Sequence, residues 1–166
     1  MNNWIILGVQ STIGLLTYAL IFFWYVQPAL AKLSFEKAIA PMLLLHVFRF
    51  TGLTLLVVGQ VDPALPQAAL SAIAYGDLLA GMSALLAVLA LRGRSGLAVP
   101  LIWLFTLIGL GDLANVGRIA INLDLFNHYV GVMWLVAIWY FPTILIAHVY
   151  IVYRLFNRGA SAVQAA

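Results

Sequence analysis

The chain has 166 residues, of which 65% are hydrophobic and 8% charged, where a soluble domain carries roughly 25% charged residues. So few charges cannot cover a globule in water, and the surface is expected to face lipid. The net charge of +3 comes from eight basic residues, spread along the chain, against five acidic ones, which is no nucleic-acid footprint; with no cysteine, disulfides, thiolate metal sites and cysteine nucleophiles are excluded.

A bilayer core about 30 Å thick takes about 20 apolar residues of helix. Five segments qualify, at approximately 4–26, 39–59, 68–91, 97–120 and 129–153. The first lacks a basic n-region and a small-residue cleavage site, so it reads as a span and not as a signal peptide. The breaks QPALAKLSFEK (27–37), GQVDPALPQ (59–67), RGRSG (92–96) and NLDLFNH (122–128) concentrate Pro, Gly, Asn and Asp, the residues of turns. The expected architecture is all-α, a polytopic bundle of five transmembrane helices. Residues 1–159 form one domain, and 160–166 form a flexible tail.

Lys32, Lys37, Arg92, Arg94, Arg154 and Arg158 fall on one side of such a bundle, and Arg118 lies near the other. By the positive-inside rule the N-terminus is outside and the C-terminus cytoplasmic. Trp4, Trp24, Tyr25, Tyr129, Tyr150 and Tyr153 fall near span ends, where they are expected to anchor among headgroups. Gly14, Gly52, Gly81, Gly109 and Gly117 are expected to permit close helix contact.

The second span places Arg49 in LLLHVFRFTGL (43–53), and the third and fourth carry Asp77 in YGDLLAG (75–81) and Asp112 in LGDLANVG (110–117). Counted in from the outer end at about 1.5 Å per residue, the two aspartates come to nearly the same height, within reach of Arg49. Facing lipid, the three would cost roughly 8–10 kcal/mol together. Arg49 is therefore expected to pair with Asp77, Asp112 or both, with a glycine beside each aspartate making room. Two carboxylates and one guanidinium leave one negative charge over. A proton on one aspartate, a protonated His46 or a bound cation would balance it. Asn115 is expected to add a hydrogen bond, as are Gln10, Ser11 and Thr12, and Arg118 to guard the outer mouth. His128 and Asp124 read as solvated loop residues.

His46 and His148, at similar depth on different helices, open a second reading as the axial pair of a b-type haem. Pro142 in FPTILIAHVYIVYRL (141–155) is expected to bend the fifth span. No Walker loop, GxSxG elbow, HExxH pair or intramembrane lysine is present, so no catalytic residue, metal or other cofactor is assigned. The leading expectation is a small-solute or proton-coupled transporter or membrane sensor. Its rivals are an accessory subunit whose charges only organise packing, and a haem redox protein. Expected partners are lipids, a small solute or proton, and a second copy or another membrane subunit, with no nucleic acid.

The four stretches 43–53, 75–81, 110–117 and 141–155 resemble small, uncharacterised bacterial integral membrane proteins. The resemblance covers spans two to five and implies a bacterial inner-membrane location without an activity.

Overall fold

The computed structural model describes residues 2–163, with side chains to Arg158. The described chain is helical, with five helices long and apolar enough to cross a membrane: α1 (Asn3–Ala31), α2 (Phe35–Leu56), α3 (Gln67–Arg92), α4 (Ala98–Asn122) and α5 (Met133–Arg158). One 3-10 turn, Leu125–Asn127, interrupts the α4–α5 connection.

The helix bounds depart from the sequence expectations in ways that local chemistry explains. α1 continues past Pro28 to Ala31, where a loop was expected from residue 27. A π turn at Phe22–Val26, closed by the Gln27 N–H on the Phe22 carbonyl, widens the helix just ahead of the proline, and such a wide turn relieves the clash of the ring with the preceding turn. α2 starts four residues before the expected span. Ser34 caps it by accepting from the Lys37 N–H at 3.5 Å, and Glu36 occupies its first turn, where a negative charge suits the helix dipole. α2 ends at Leu56 because Val57 is extended and Gly59 takes φ +77. α5 starts at Met133 instead of 129, after Gly131 at φ +51. Its helical backbone continues to Val163, so residues 160–163 are helix where a tail was expected; residues 164–166 lie outside the described residues.

α3 is the centre of the bundle, packed along α2 on one side and α4 on the other, while α5 packs on α2 and α1 packs on α5. Small side chains on α3, Ala74, Ala80, Gly81, Ala84 and Ala87, are buried and let its neighbours approach closely. A Cβ on Gly81 would stand 3.0 Å from the Val47 carbonyl of α2. α1 is attached at the edge: Ile5, Ile13, Leu16, Phe23 and Trp24 are exposed, and none of Asn3–Ile21 is buried.

Apolar packing forms two clusters. One gathers Ile39, Leu43, Ile102, Phe105 and Ile151 toward the end that carries the basic loops. The other gathers Leu55, Leu70, Ile73, Ile119 and Val130 toward the end that carries Asp62 and Asp124. Arg49, Asp77 and Asp112 each lie in sequence between members of the two clusters, so the charged layer is sandwiched by oil on both sides. Tyr150, expected at an interface, is instead buried in the first cluster, its hydroxyl accepting from Arg154 at 2.9 Å.

Candidate functional site

α2 changes character at Phe48, where a 3-10 segment takes over and runs to Leu56. Runs of 3-10 helix beyond three or four residues are uncommon, and side chains three apart eclipse in them. The repeat of three puts Arg49, Gly52 and Leu55 on one line, and those are the buried residues of the segment. At this junction the Tyr140 hydroxyl of α5 donates to the Leu45 carbonyl of α2 at 2.7 Å.

Arg49 is fully buried and its guanidinium meets both aspartates. Its Nε donates to Asp77 Oδ1 at 2.8 Å, its Nη2 to Asp112 Oδ2, and its Nη1 to the Gly109 carbonyl at 3.4 Å. One planar fork thus ties α2 to α3 and α4, which the fixed geometry of guanidinium donors permits. Glycines supply the notches. A Cβ on Gly52 would collide with the Asp77 carboxylate, and a Cβ on Gly76 with that of Asp112. Each carboxylate therefore sits against a bare stretch of the preceding helix. Of the glycines that stand before the two aspartates, Gly76 makes such room, whereas a Cβ on Gly111 would meet nothing within 4 Å. Gly117, expected at a close contact, also faces open space.

The two carboxylates differ in what else they face. Asp112 is nearly enclosed, while the Asp77 side chain keeps 18% of its surface exposed. Asp77 lines a cavity of about 310 Å³, within the size range of small-molecule sites. Its walls are mostly apolar, from Leu7 of α1, Leu55 of α2, Leu113 and Val116 of α4 and Phe141 of α5, with Ser11, Thr51 and Tyr140 as polar exceptions. Asp112 does not line it.

The loops beyond this cavity are tied together. Trp4 Nε1 donates to Asp124, the Asn3 amide to the Phe126 carbonyl at 3.0 Å, and Trp134 Nε1 to Gln10 at 2.9 Å. The Trp4 ring meets Phe126 edge-on at 5.3 Å. His128 Nδ1 lies 3.0 Å from Asp62 Oδ2, joining the two loops at this end. Asp124 is exposed and His128 partly so, as expected of loop residues, and both also make these contacts. The Asp124 carboxyl is held below its usual range first by the Asn127 amide and then by Trp4. That of Asp62 is lowered by the Ala64 N–H and then by His128.

His46 and His148 are brought together, both buried, with ring centroids 5.1 Å apart and the rings edge to face. Phe105 covers both, at 4.8 Å from His46 and 5.2 Å from His148. No ring nitrogen of either histidine has a hydrogen-bond partner among the described residues. The Thr106 backbone lies toward the His148 ring but outside normal hydrogen-bond geometry. Rings in direct contact leave no slot between them, so a haem held on both would require α2 and α5 to part.

Several sequence candidates stand elsewhere. Asn115 accepts from Arg118 at 2.8 Å on an exposed face of α4, away from Arg49, and neither residue lines the cavity. Ser11 does line it, Gln10 serves Trp134, and Thr12 is exposed. The residue missed is Tyr140. A hydroxyl-bearing aromatic two positions before a mid-helix proline was the available signal for it.

Pro142 has no N–H for the Ile138 carbonyl, and a π turn at Val136–Tyr140 precedes it. That carbonyl faces α1, 2.7 Å from where a Gly14 Cβ would stand. Gly14 thus lets α1 close on the π turn of α5, beside the cavity.

Over residues 6–156 the sequence matches the family described as a domain of unknown function, DUF8737. The chain belongs to that family. The match contains every residue of the Arg49 layer and of the histidine pair. No curated protein and no solved structure matches the chain. Among the described residues, no three His, Asp or Glu side chains are grouped so as to hold a metal ion.

Proposed function

We propose that this DUF8737 protein is a bacterial inner-membrane transporter or sensor that binds a small, largely apolar solute beside Asp77. The membrane reading is supported by five helices of spanning length, by the exposed apolar side chains of α1 and by the loop charges. With the basic loops cytoplasmic, the N-terminus is outside and the cavity opens the outer half of the bundle. Arg49 is the fixed counter-ion and Asp112 its permanent partner. Asp77 is the exchanging group, since the excess negative charge of the layer is balanced there by a proton or by a polar or cationic group of the solute.

The observation that carries this reading is the asymmetry of the carboxylates: both meet Arg49, and of the two it is Asp77 that lines the 310 Å³ cavity. Trp4 and Trp134 lie at or beside that cavity and report on its occupancy. The test is fluorescence titration of the reconstituted protein with a panel of small aromatic and amine solutes, with a pH dye inside the vesicles. Asp77→Asn is expected to abolish the pH dependence of binding, and Asp112→Asn to weaken the fold more than the binding. Unchanged binding and pH response in both variants would leave the reading without support.

A second reading, an accessory subunit, has its own observation. The three charges close on one another and link α2, α3 and α4, a service to packing alone. Co-purification of a stoichiometric membrane partner, together with solute indifference, is its signature.

A further inference from the structure

A second recess, about 1130 Å³, lies at the basic end between the start of α2, the end of α3 and the start of α4. Lys37, Arg92, Arg94 and Arg158 line it, against Glu36 as its one acid. None of the four cations forms an ion pair with a described residue. Arg94 is held in the left-handed region at φ 53, while the Ser95 N–H reaches back to the Ala90 carbonyl at 3.0 Å. Below the charged rim the walls turn apolar, with Val88 on α3 and Leu44 on α2. Leu44 is nine residues along α2 from Phe35, so the recess descends roughly 13 Å along the helix at 1.5 Å per residue.

We propose that this recess binds an anionic phospholipid, its headgroup phosphate on Arg92, Arg94, Lys37 and Arg158 and one acyl chain along Leu44 and Val88. Cations without a carboxylate partner, of which Arg158 also lies over the Phe35 ring at 5.0 Å, match a phosphodiester at the rim, because guanidinium and ammonium groups are its strong donors. The apolar slot beneath separates lipid from free phosphate, which would fill the rim and leave the slot empty. Basic pockets between transmembrane helices on the cytoplasmic side bind such headgroups as a general class. The proposal rests on the membrane reading above, and not on the cavity at Asp77.

The test uses the full chain in detergent micelles, read by native mass spectrometry and thermal unfolding. Phosphatidylglycerol is compared with phosphatidylcholine of the same acyl chains and with inorganic phosphate. Phosphatidylglycerol is expected to stay bound and raise the melting temperature, with the other two ineffective. R92Q/R94Q is expected to weaken its binding about thirtyfold, at the usual gain per basic residue near anionic lipid, whereas R118Q leaves it unchanged. Should R92Q/R94Q fail to fold, K37Q/R158Q on the other wall gives the same readout. Equal binding of phosphatidylcholine, a full effect from phosphate alone, or wild-type binding by both double variants would overturn the proposal. D77N is expected to bind lipid as wild type does, and carbonate washing of membranes tests insertion separately, so failures of the two readings are distinguishable.

Discussion

Two buried polar groups sit side by side in this bundle and solve burial in opposite ways. Arg49 makes three contacts through its guanidinium, two of them to carboxylates. His46 and His148 have four ring nitrogens without a hydrogen-bond partner among the described residues, and the rings pack on each other and on Phe105. The difference follows from charge. A guanidinium cannot shed its proton, so in a low-dielectric setting it must be matched. A neutral imidazole forgoes a hydrogen bond at a cost of about 1–3 kcal/mol per unsatisfied group, which ring packing partly offsets. The charged layer accordingly dictates where α2, α3 and α4 meet, and the histidines fill the space that remains.

If that is right, removing the guanidinium gives the largest loss. Arg49→Met leaves two carboxylates, Asp77 against Gly52 and Asp112 against Gly76, without their shared cation. Breaking a buried pair in this manner costs about 3–5 kcal/mol, to be measured by reversible unfolding in mixed micelles. Neutralising the carboxylates as well, in R49M/D77N/D112N, is expected to recover most of that loss. A single variant as stable as the wild type would show that the layer does not hold the helices together.

That pairing was legible in the sequence because depth alone nearly determines it. Helices of spanning length fix the height of each residue to within a turn, and charges at one height in oil have few alternatives. Asn115 and Arg118 were misplaced by the same method, since height carries no information about which way a side chain faces; they turn to the exposed side of α4 and serve each other. Element type was equally readable from apolar runs. The 3-10 segment of α2 was not, because Thr51, Gly52 and Thr54 suit several helical geometries, and the choice is made by Arg49 reaching α3 and α4. The cavity at Asp77 was also invisible, being space left between residues of all five helices, which no single segment encodes.

The next effect in size tests the notches themselves, and the paired glycines before the aspartates provide an internal control. Gly76→Ala places a methyl group onto the Asp112 carboxylate, forcing the ion pair or α4 to move. Overpacking of this type costs about 1–3 kcal/mol. Gly111→Ala, at the residue before Asp112 on α4, meets nothing within 4 Å and is expected to be neutral or to stabilise by up to about 1 kcal/mol through helix propensity. Equal losses in the two variants would mean that the glycines matter for backbone flexibility and not for the space they leave to the carboxylates.

The smallest effect belongs to the histidines. His46→Leu exchanges a buried ring with unsatisfied nitrogens for an apolar side chain of similar volume. No hydrogen bond to a described residue is lost, and the desolvation cost of two ring nitrogens disappears, while the edge contacts with Phe105 and His148 weaken. These opposing terms leave a net change within about 1.5 kcal/mol, as for volume-conserving core replacements. The measurement is the same unfolding assay used for Arg49→Met, so the two numbers are directly comparable. A loss matching that of Arg49→Met would place a contact of ionic strength on an imidazole nitrogen. The histidine pair would then belong with the charged layer as one coupled network.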